Sequence, residues 1–358
     1  MKKWITFHTS SSEKNALAAG IFCYKTMKKI IWGLLSVIFS LFVIQILWLT
    51  PKLNVHFPTR FLKKNSLSHP CFTEATISSI VIDKGYNPFM QCSDINGRNK
   101  DLALSKYKLP YGTLKTEFLF RSILRLLDED CEFGWNEEKS SCNTCVVVGN
   151  GAILRNKSLG SVIDSFDVII RMNNAPVSGY ENDVGTKTTF RMAYPESLFI
   201  SPEDVDPKST LIFMSFKPSD LHWMLQTLQN KNVSNFGFWT IPPRKLQYSK
   251  EQVRLLNPRF IRIAAYEFLN FSKRPLKEKI PQHPTTGMIA ITMALHMCNN
   301  VSIAGFRYRF DNVTDHVHYY GNETMNVIKM SPYHNVSVER KFIDHLKKRK
   351  IIQDLTNE

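Results

Sequence analysis

CVVVGNG at 145–151 sets the fold class, because a short apolar run that ends in Gly-Asn-Gly is typical of a buried parallel strand entering a tight turn. The same strand signal recurs in DVIIRMN (167–173), TLIFMSF (210–216) and VSIAGF (301–306). Between the last two of these strands, MIAITMALHMC (288–298) predicts a buried helix. Two further helices are predicted, one at 116–127 and a basic one at 338–350. Alternating strands and helices predict an α/β domain with a mainly parallel sheet and right-handed crossovers. Its ligand should bind at the carboxyl ends of the strands.

The N-terminal region predicts a membrane anchor. Residues 30–49 are uncharged and strongly apolar, which is the length of one membrane-spanning helix. Lys25, Lys28 and Lys29 precede this segment and place the N-terminus in the cytoplasm by the positive-inside rule. The predicted organisation is a cytoplasmic tail (1–29), a transmembrane helix (30–49), a polar, proline-containing stem (50–70) and a luminal domain (71–358). A cleaved signal peptide is the alternative, and translation could start at Met1 or at Met27.

Composition agrees with a luminal domain that meets anionic partners. The net charge of +15 suits a membrane face or a phosphate-bearing substrate, whereas the membrane span and the sequons exclude nucleic acid as a partner. Seven Asn-x-Ser/Thr sequons occur, at Asn156, Asn232, Asn270, Asn300, Asn312, Asn322 and Asn335. Six cysteines follow the apolar segment, at Cys71, Cys92, Cys131, Cys142, Cys145 and Cys298. An even number in an oxidising compartment predicts up to three disulfides.

Five polar segments follow strands or begin helices, where they can meet a ligand. They are 149–151, 171–174, HPTTG at 283–287, HYYG at 318–321, and His334 with Glu339. Threonine hydroxyls and free N–H groups at a helix start form an anion site, and histidine can act as a general base near neutral pH. Taken singly, each segment is better explained by a structural role, as a turn, a capping residue or a surface residue.

The order of these segments resembles the four motifs of animal sialyltransferases. Residues 142–197 are similar to the long donor-binding motif, 283–306 to the short motif, 318–321 to the third motif and 334–339 to the very short His-x4-Glu motif. Within the family, the β-galactoside α-2,3 branch is the most similar. The resemblance implies one Rossmann-like glycosyltransferase domain of a variant GT-A type. It also implies a type II protein of the Golgi membrane that uses CMP-sialic acid and galactose-terminated glycans.

The resemblance assigns expected roles to individual residues. The residues expected to bind substrates are Asn150, Asn173, Tyr194, Thr285, Thr286, Gly287 and Gly305. His318 is expected to contact the donor phosphate, and His334 to act as the general base with Glu339 as its motif partner. Cys145 is expected to pair with Cys298, while the other four luminal cysteines can pair in three ways. His283 departs from the tyrosine of an O-glycan-type relative.

The implied reaction is an inverting displacement that needs no metal and no cofactor, because the leaving group carries a single phosphate. The acidic triplets at 128–130 and 204–206 do not follow buried strands, as a metal-bridging triplet would. Two alternatives stay open. One is a sialyltransferase that acts on lactosylceramide or on O-glycan galactose, and the other is an inactive luminal glycan-binding protein. The presence of both His318 and His334 argues against the inactive protein.

Overall fold

A computed structural model describes residues 86–95, 103–131, 133, 143–273, 280–306, 314–326 and 332–356. All of them belong to one compact unit within 68–358. The predicted tail, transmembrane helix and stem lie outside the described residues. Within the described ranges, no helix has the length and apolar character needed to cross a membrane.

Within the described residues, seven parallel strands form a single sheet, so the predicted α/β class is confirmed. The strands are β1 (Thr144–Val148), β2 (Val168–Met172), β3 (Phe190–Ala193), β4 (Thr210–Phe213), β5 (Val253–Leu255), β6 (Asn300–Ala304) and β7 (Ile352–Asp354). Their order across the sheet is β5-β4-β3-β2-β1-β6-β7. The chain therefore builds outward from β1 in one direction and then returns to add β6 on the other side. This reversal creates a crevice at the carboxyl ends of β1 and β6, the usual ligand position in open α/β sheets.

Helices cover both faces of the sheet. The α-helices of the described ranges are α1 (Cys92–Ile95), α2 (Glu117–Leu127), α3 (Gly160–Ile163), α4 (Glu181–Val184), α5 (Pro218–Leu228), α6 (Pro258–Arg262), α7 (Thr286–Met297) and α8 (Val336–Lys348). A π-helix, Ile263–Phe268, continues α6. Short 3-10 helices occupy Leu104–Lys106, Ala152–Leu154, Pro195–Ser197, Pro202–Asp204 and Lys250–Gln252.

Helix α7 is apolar nearly all round because it packs against β1, β2, β3 and β6 and against the π-helix. Asn300, at the start of β6, is only 7% exposed. The folded strand thus leaves no room for a glycan at that predicted sequon. A glycan chain is compatible with the exposed Asn156, Asn232, Asn270 and Asn322.

Two disulfides lie within the described residues, and one of them ties a helix to the sheet. Cys145 in β1 pairs with Cys298 after α7, with Cα atoms 6.1 Å apart, which confirms the pairing that the family resemblance implied. Cys92 pairs with Cys131, with Cα atoms 5.4 Å apart, and links α1 to the segment after α2. This bond settles one of the pairings that the sequence left open. Cys71 and Cys142 lie outside the described residues.

Candidate active site

The crevice between β1 and β6 depends on two glycines that let the backbones touch. The N–H of Gly149 donates to the carbonyl of Ala304 at 2.7 Å, and the N–H of Gly151 donates to that of Gly305 at 3.0 Å. A Cβ atom on Gly149 would lie 2.6 Å from the carbonyl oxygen of Gly305. Gly305 itself has a φ of +78°, which favours glycine. The predicted pocket residue Gly305 therefore shapes the crevice floor by its backbone.

Two asparagines present buried amide oxygens that have no hydrogen-bond partner among the described residues. Asn150, which is 9% exposed, donates its Nδ2 to the hydroxyl of Tyr320 at 3.2 Å, and its Oδ1 is unpaired. Asn173 follows β2 with a φ of +55°, and its Oδ1 is also unpaired. An unpaired buried acceptor costs about 1–3 kcal/mol. A ligand with N–H or O–H donors would remove that cost, so both asparagines fit their predicted role.

His318 is held beside Asn150 by the loop that carries it. Its backbone bridges to Gly151, and the N–H of Tyr319 donates to the carbonyl of Asn150 at 2.9 Å. The imidazole stacks on Tyr320, with ring centroids 5.1 Å apart. Burial lowers the pKa of His318, and the carboxylate of Glu323, 3.6 Å from Nδ1, offsets only part of this effect. In the free protein His318 is therefore a neutral side chain that can donate one hydrogen bond.

Arg155 fixes the same loop and was not predicted from the sequence. Its Nε donates to the carbonyl of Tyr319 at 2.9 Å, and its Nη2 donates to the carbonyls of His318 and Gly321 at 3.4 and 3.3 Å. No local pattern around Arg155 marks this role, because its partners lie more than 160 residues away. Tyr320 belongs to the HYYG segment, but the sequence predicted no individual role for it.

The start of α7 lies at the carboxyl ends of β2 and β6. Thr285 caps the helix by accepting the N–H of Met288 at 3.2 Å, and Thr286 is the first helical residue. A Cβ atom on Gly287 would lie 2.8 Å from the ring of Phe306, just after β6, and 3.6 Å from Met172 Sδ. The positive end of a 12-residue helix dipole thus points towards the crevice, where it favours an anion.

Glu339 locks this helix start rather than contacting His334. Its two carboxylate oxygens accept the N–H of Thr285 at 2.8 Å and the Oγ1 hydroxyl of Thr285 at 2.6 Å. Burial raises the pKa of Glu339 to about 7, while the hydrogen bonds from Thr285 act to lower it. Glu339, the motif partner of His334, thus links the very short motif to the short motif.

His334 is exposed, and its orientation is set by a backbone carbonyl. Its Nδ1 lies 2.9 Å from the carbonyl oxygen of His283. Because a carbonyl can only accept, the proton of neutral His334 resides on Nδ1, and Nε2 keeps its lone pair. This tautomer is the one a general base needs. His334 and His318 lie on different segments, each positioned by its own contacts.

Aromatic side chains line the side of His334. His283 Nδ1 lies 2.8 Å from the hydroxyl of Tyr111, and Tyr111 packs against Tyr266 with ring centroids 4.7 Å apart. Burial lowers the pKa of His283, and the neighbouring His334 lowers it further. Tyr266 lies on the π-helix, and such helical irregularities often occur at functional sites. Half-buried tyrosines suit the packing of a sugar ring.

Tyr194 follows β3, two strands from the β1–β6 crevice. It packs edge-on against Phe216, with ring centroids 5.4 Å apart. Burial and the carboxylates of Glu196 and Asp220 raise the pKa of Tyr194 to about 12, so it stays neutral. Lys217 forms ion pairs with both carboxylates, at 2.5 Å from Glu196 and 3.3 Å from Asp220. Tyr194 therefore lies at the carboxyl edge of the sheet, and its expected contact with substrate stays a prediction.

Two other polar side chains from the predicted segments, Arg171 and Asp204, form hydrogen bonds with backbone groups. Arg171 is buried in β2 and donates to the carbonyls of Val184 and Lys187 at 2.7 and 2.9 Å. Asp204 accepts the N–H groups of Val177 and Ser178, both at 2.7 Å. In the part of the chain that the structure describes, no group of three or more His, Cys, Asp or Glu side chains could hold a metal ion.

A doubly wound parallel sheet with unpaired amide oxygens, a neutral histidine and a helix start near its switch point fits a nucleotide-binding α/β protein. The exposed His334 adds a candidate base, so a group-transfer enzyme fits this arrangement. Residues 89–351 match Glycosyltransferase family 29 (sialyltransferase). The chain belongs to this family.

Individual relatives agree with the family. The type 2 lactosamine alpha-2,3-sialyltransferase of Rattus norvegicus is 42% identical over 90% of this chain and 97% of its own length. The CMP-N-acetylneuraminate-beta-galactosamide-alpha-2,3-sialyltransferase 4 of Homo sapiens is 43% identical over 71% of this chain and 75% of its own. A crystal structure of a mammalian sialyltransferase superimposes with a TM-score of 0.62 and 23% identity, and the match covers 79% of this chain and 94% of that chain. This structural match supports the fold.

Proposed function

We propose that the chain transfers sialic acid from CMP-sialic acid to the 3-hydroxyl of a terminal galactose, as in Galβ1-4GlcNAc, with inversion at the anomeric carbon. The names of the two relatives support the donor and the linkage, and that of the rat relative supports the acceptor. The observation that carries the proposal is the tautomer of His334, whose Nδ1 is bound to the carbonyl of His283 and whose Nε2 is left as a proton acceptor.

The donor nucleotide occupies the β1–β6 crevice in this proposal. The unpaired Oδ1 atoms of Asn150 and Asn173 accept hydrogen bonds from the amino and hydroxyl groups of cytidine. The phosphate lies between His318 and the start of α7. A phosphate anion raises the pKa of a nearby histidine, so donor binding shifts His318 towards the charged form that stabilises the leaving group.

The acceptor galactose lies against the tyrosines beside His334. His334 Nε2 takes the proton of the 3-hydroxyl as that oxygen attacks the anomeric carbon of sialic acid. The bond from this carbon to the phosphate oxygen breaks, and cytidine monophosphate leaves from the opposite face with the bonding electrons. General-base catalysis contributes about 10²–10⁴-fold, and the helix start stabilises the charge that develops on the phosphate.

The same proposal includes a metal-independent reaction and a type II position in the Golgi membrane. The single phosphate of the donor supports metal independence. The apolar segment 30–49, its lysine flank and the exposed sequons support a luminal domain. Removal of N-glycans should lower the apparent mass on a gel, and protease added to intact vesicles should leave the domain uncut. An unglycosylated protein that is cut in intact vesicles would contradict this topology.

An acceptor panel tests the proposed specificity. Full-length protein in detergent is given CMP-sialic acid with Galβ1-4GlcNAc, Galβ1-3GalNAc or lactosylceramide, and a linkage-specific sialidase identifies the product. We expect the highest kcat/KM for Galβ1-4GlcNAc and an α-2,3 linkage. Preference for another galactoside would move the chain to the alternative acceptor class. Donor binding without transfer to any of the three would favour the inactive glycan-binding protein.

A further inference from the structure

A basic cavity lies at the edge of the sheet opposite the candidate active site. Its volume is about 760 Å³, within the usual range for ligand pockets. It is lined by the end of α5, the following loop and the segment before β5, namely Thr227, Leu228, Asn230, Lys231, Asn232, Val233, Asn235, Arg244, Lys245, Leu246, Tyr248 and Lys250. Because α5 runs back from the carboxyl end of β4, these segments meet at the amino ends of β4 and β5. The proposed transfer reaction makes no use of this cavity.

Every charged residue that lines the cavity is positive. Lys231, Arg244, Lys245 and Lys250 all line it, and no lining residue is acidic. None of these four cations forms an ion pair with the described residues. A sphere of the cavity's volume has a diameter of about 11 Å, comparable to the Debye length of ~8–10 Å at physiological salt. All four charges therefore act on one ligand.

The helix end beneath the cavity opposes an anion only weakly. The C-terminus of a helix carries about half a negative charge, whereas the wall carries four positive charges. The last carbonyls of α5 are also engaged, since Leu225 and Thr227 accept the N–H groups of Gln229 and Asn230 at 3.2 and 3.1 Å. The net field in the cavity is thus positive.

The uncharged lining indicates what kind of anion fits. Asn230 and Asn235 offer amide groups that both donate and accept, which suits hydroxyl groups. A single small anion would contact only part of a cavity this wide, whereas the four cations are spread over the loop after α5 and the segment before β5. We propose that the cavity is a second binding site for an anionic oligosaccharide whose sulfate or carboxylate groups are spread over several sugar rings.

Direct binding tests this site without requiring turnover. All proteins carry Asn232→Gln, so that no N-glycan can enter the cavity from its wall. Calorimetry at physiological salt uses a heparin-derived sulfated hexasaccharide, the same hexasaccharide after desulfation, and a hexamer of galacturonic acid, which carries one carboxylate on every ring. The first two probes test for sulfate recognition, and the third tests for carboxylate recognition. The cavity variant is Arg244→Ser with Lys245→Ser, and the matched control is Lys348→Ser with Arg349→Ser, an exposed pair at the end of α8.

We expect at least one charged probe to bind, the cavity variant to bind it at least tenfold more weakly, and the control to change its affinity less than twofold. Cytidine monophosphate should bind both variants as it binds the parent protein, which shows that the fold is intact. Equal weakening in the two variants would show that only net charge matters and would overturn the proposal. Unchanged binding by the cavity variant, or no binding of any charged probe to the parent, would also overturn it.

Discussion

The contact between Glu339 and Thr285 predicts a large stability effect at a position that need not touch substrate. Both carboxylate oxygens accept hydrogen bonds from Thr285, and Glu339 is only 5% exposed. Below pH 7 the buried carboxyl is mostly protonated, so each of these hydrogen bonds contributes about 0.5–1.5 kcal/mol, and alanine also leaves a cavity. We expect Glu339→Ala at pH 5 to lower the free energy of unfolding by about 2–4 kcal/mol and the melting temperature by about 5–15 °C.

Glu339→Gln isolates the ionisation of this group. Burial raises the pKa of Glu339 to about 7 in the folded protein, above its ordinary value of 4.5. The folded protein therefore binds more protons than the unfolded chain between these pH values. The contribution of Glu339 to stability is full below about pH 4.5, falls as the pH rises towards 7, and is constant above that. At 1.36 kcal/mol per pKa unit, the total change is about 3 kcal/mol.

The assay is denaturant unfolding of the wild type, Glu339→Gln and Glu339→Ala from pH 4.5 to 8. Glutamine cannot ionise, so the stability of the wild type relative to this variant should decline as the pH rises. The exposed Glu203→Gln serves as the control and should stay within about 0.5 kcal/mol of the wild type at every pH. A wild-type minus Glu339→Gln difference that is flat with pH, together with a Glu339→Ala cost below 0.5 kcal/mol, would refute this reasoning.

Three further predictions follow from the site. Gly305→Ala should lower the free energy of unfolding by about 1–3 kcal/mol and weaken binding of cytidine monophosphate, because the φ of Gly305 is +78° and a Cβ there would lie 2.6 Å from Leu154. Calorimetry and unfolding that match the wild type would contradict this. Arg155→Ala should weaken nucleotide binding through loss of the His318 loop, whereas unchanged affinity would show that the loop is held without it. Transfer should persist in excess chelator; loss of turnover that manganese restores would require a metal.

Much of the sheet could be predicted because buried parallel strands are continuously apolar. β1, β2, β4, β6 and α7 all carry that signal. β3 was missed because Arg191 interrupts its apolar pattern, yet this side chain is fully buried and donates to the carbonyls of Asn173 and Ala175. β5 and β7 have three residues each, too few for any periodicity. The last helix begins at Val336, two residues earlier than predicted, because Asn335 caps it by accepting the N–H of Val338.

The edge of the sheet that carries the site was also predictable, since residues after parallel strands share one edge. What the sequence could not supply are contacts between distant segments. Tyr111 and His283 are 172 positions apart, and Thr285 and Glu339 are 54 apart. These features depend on tertiary packing, which no local pattern records.

The most direct test of the central claim joins binding and turnover in one variant. His334→Ala removes the candidate base but leaves Asn150, Asn173 and His318 in place. We expect cytidine monophosphate to bind this variant with wild-type affinity in calorimetry, while kcat for transfer from CMP-sialic acid to Galβ1-4GlcNAc falls about 10²–10⁴-fold. A folded His334→Ala protein that retains near wild-type turnover would contradict the assignment of His334 and the proposed mechanism with it.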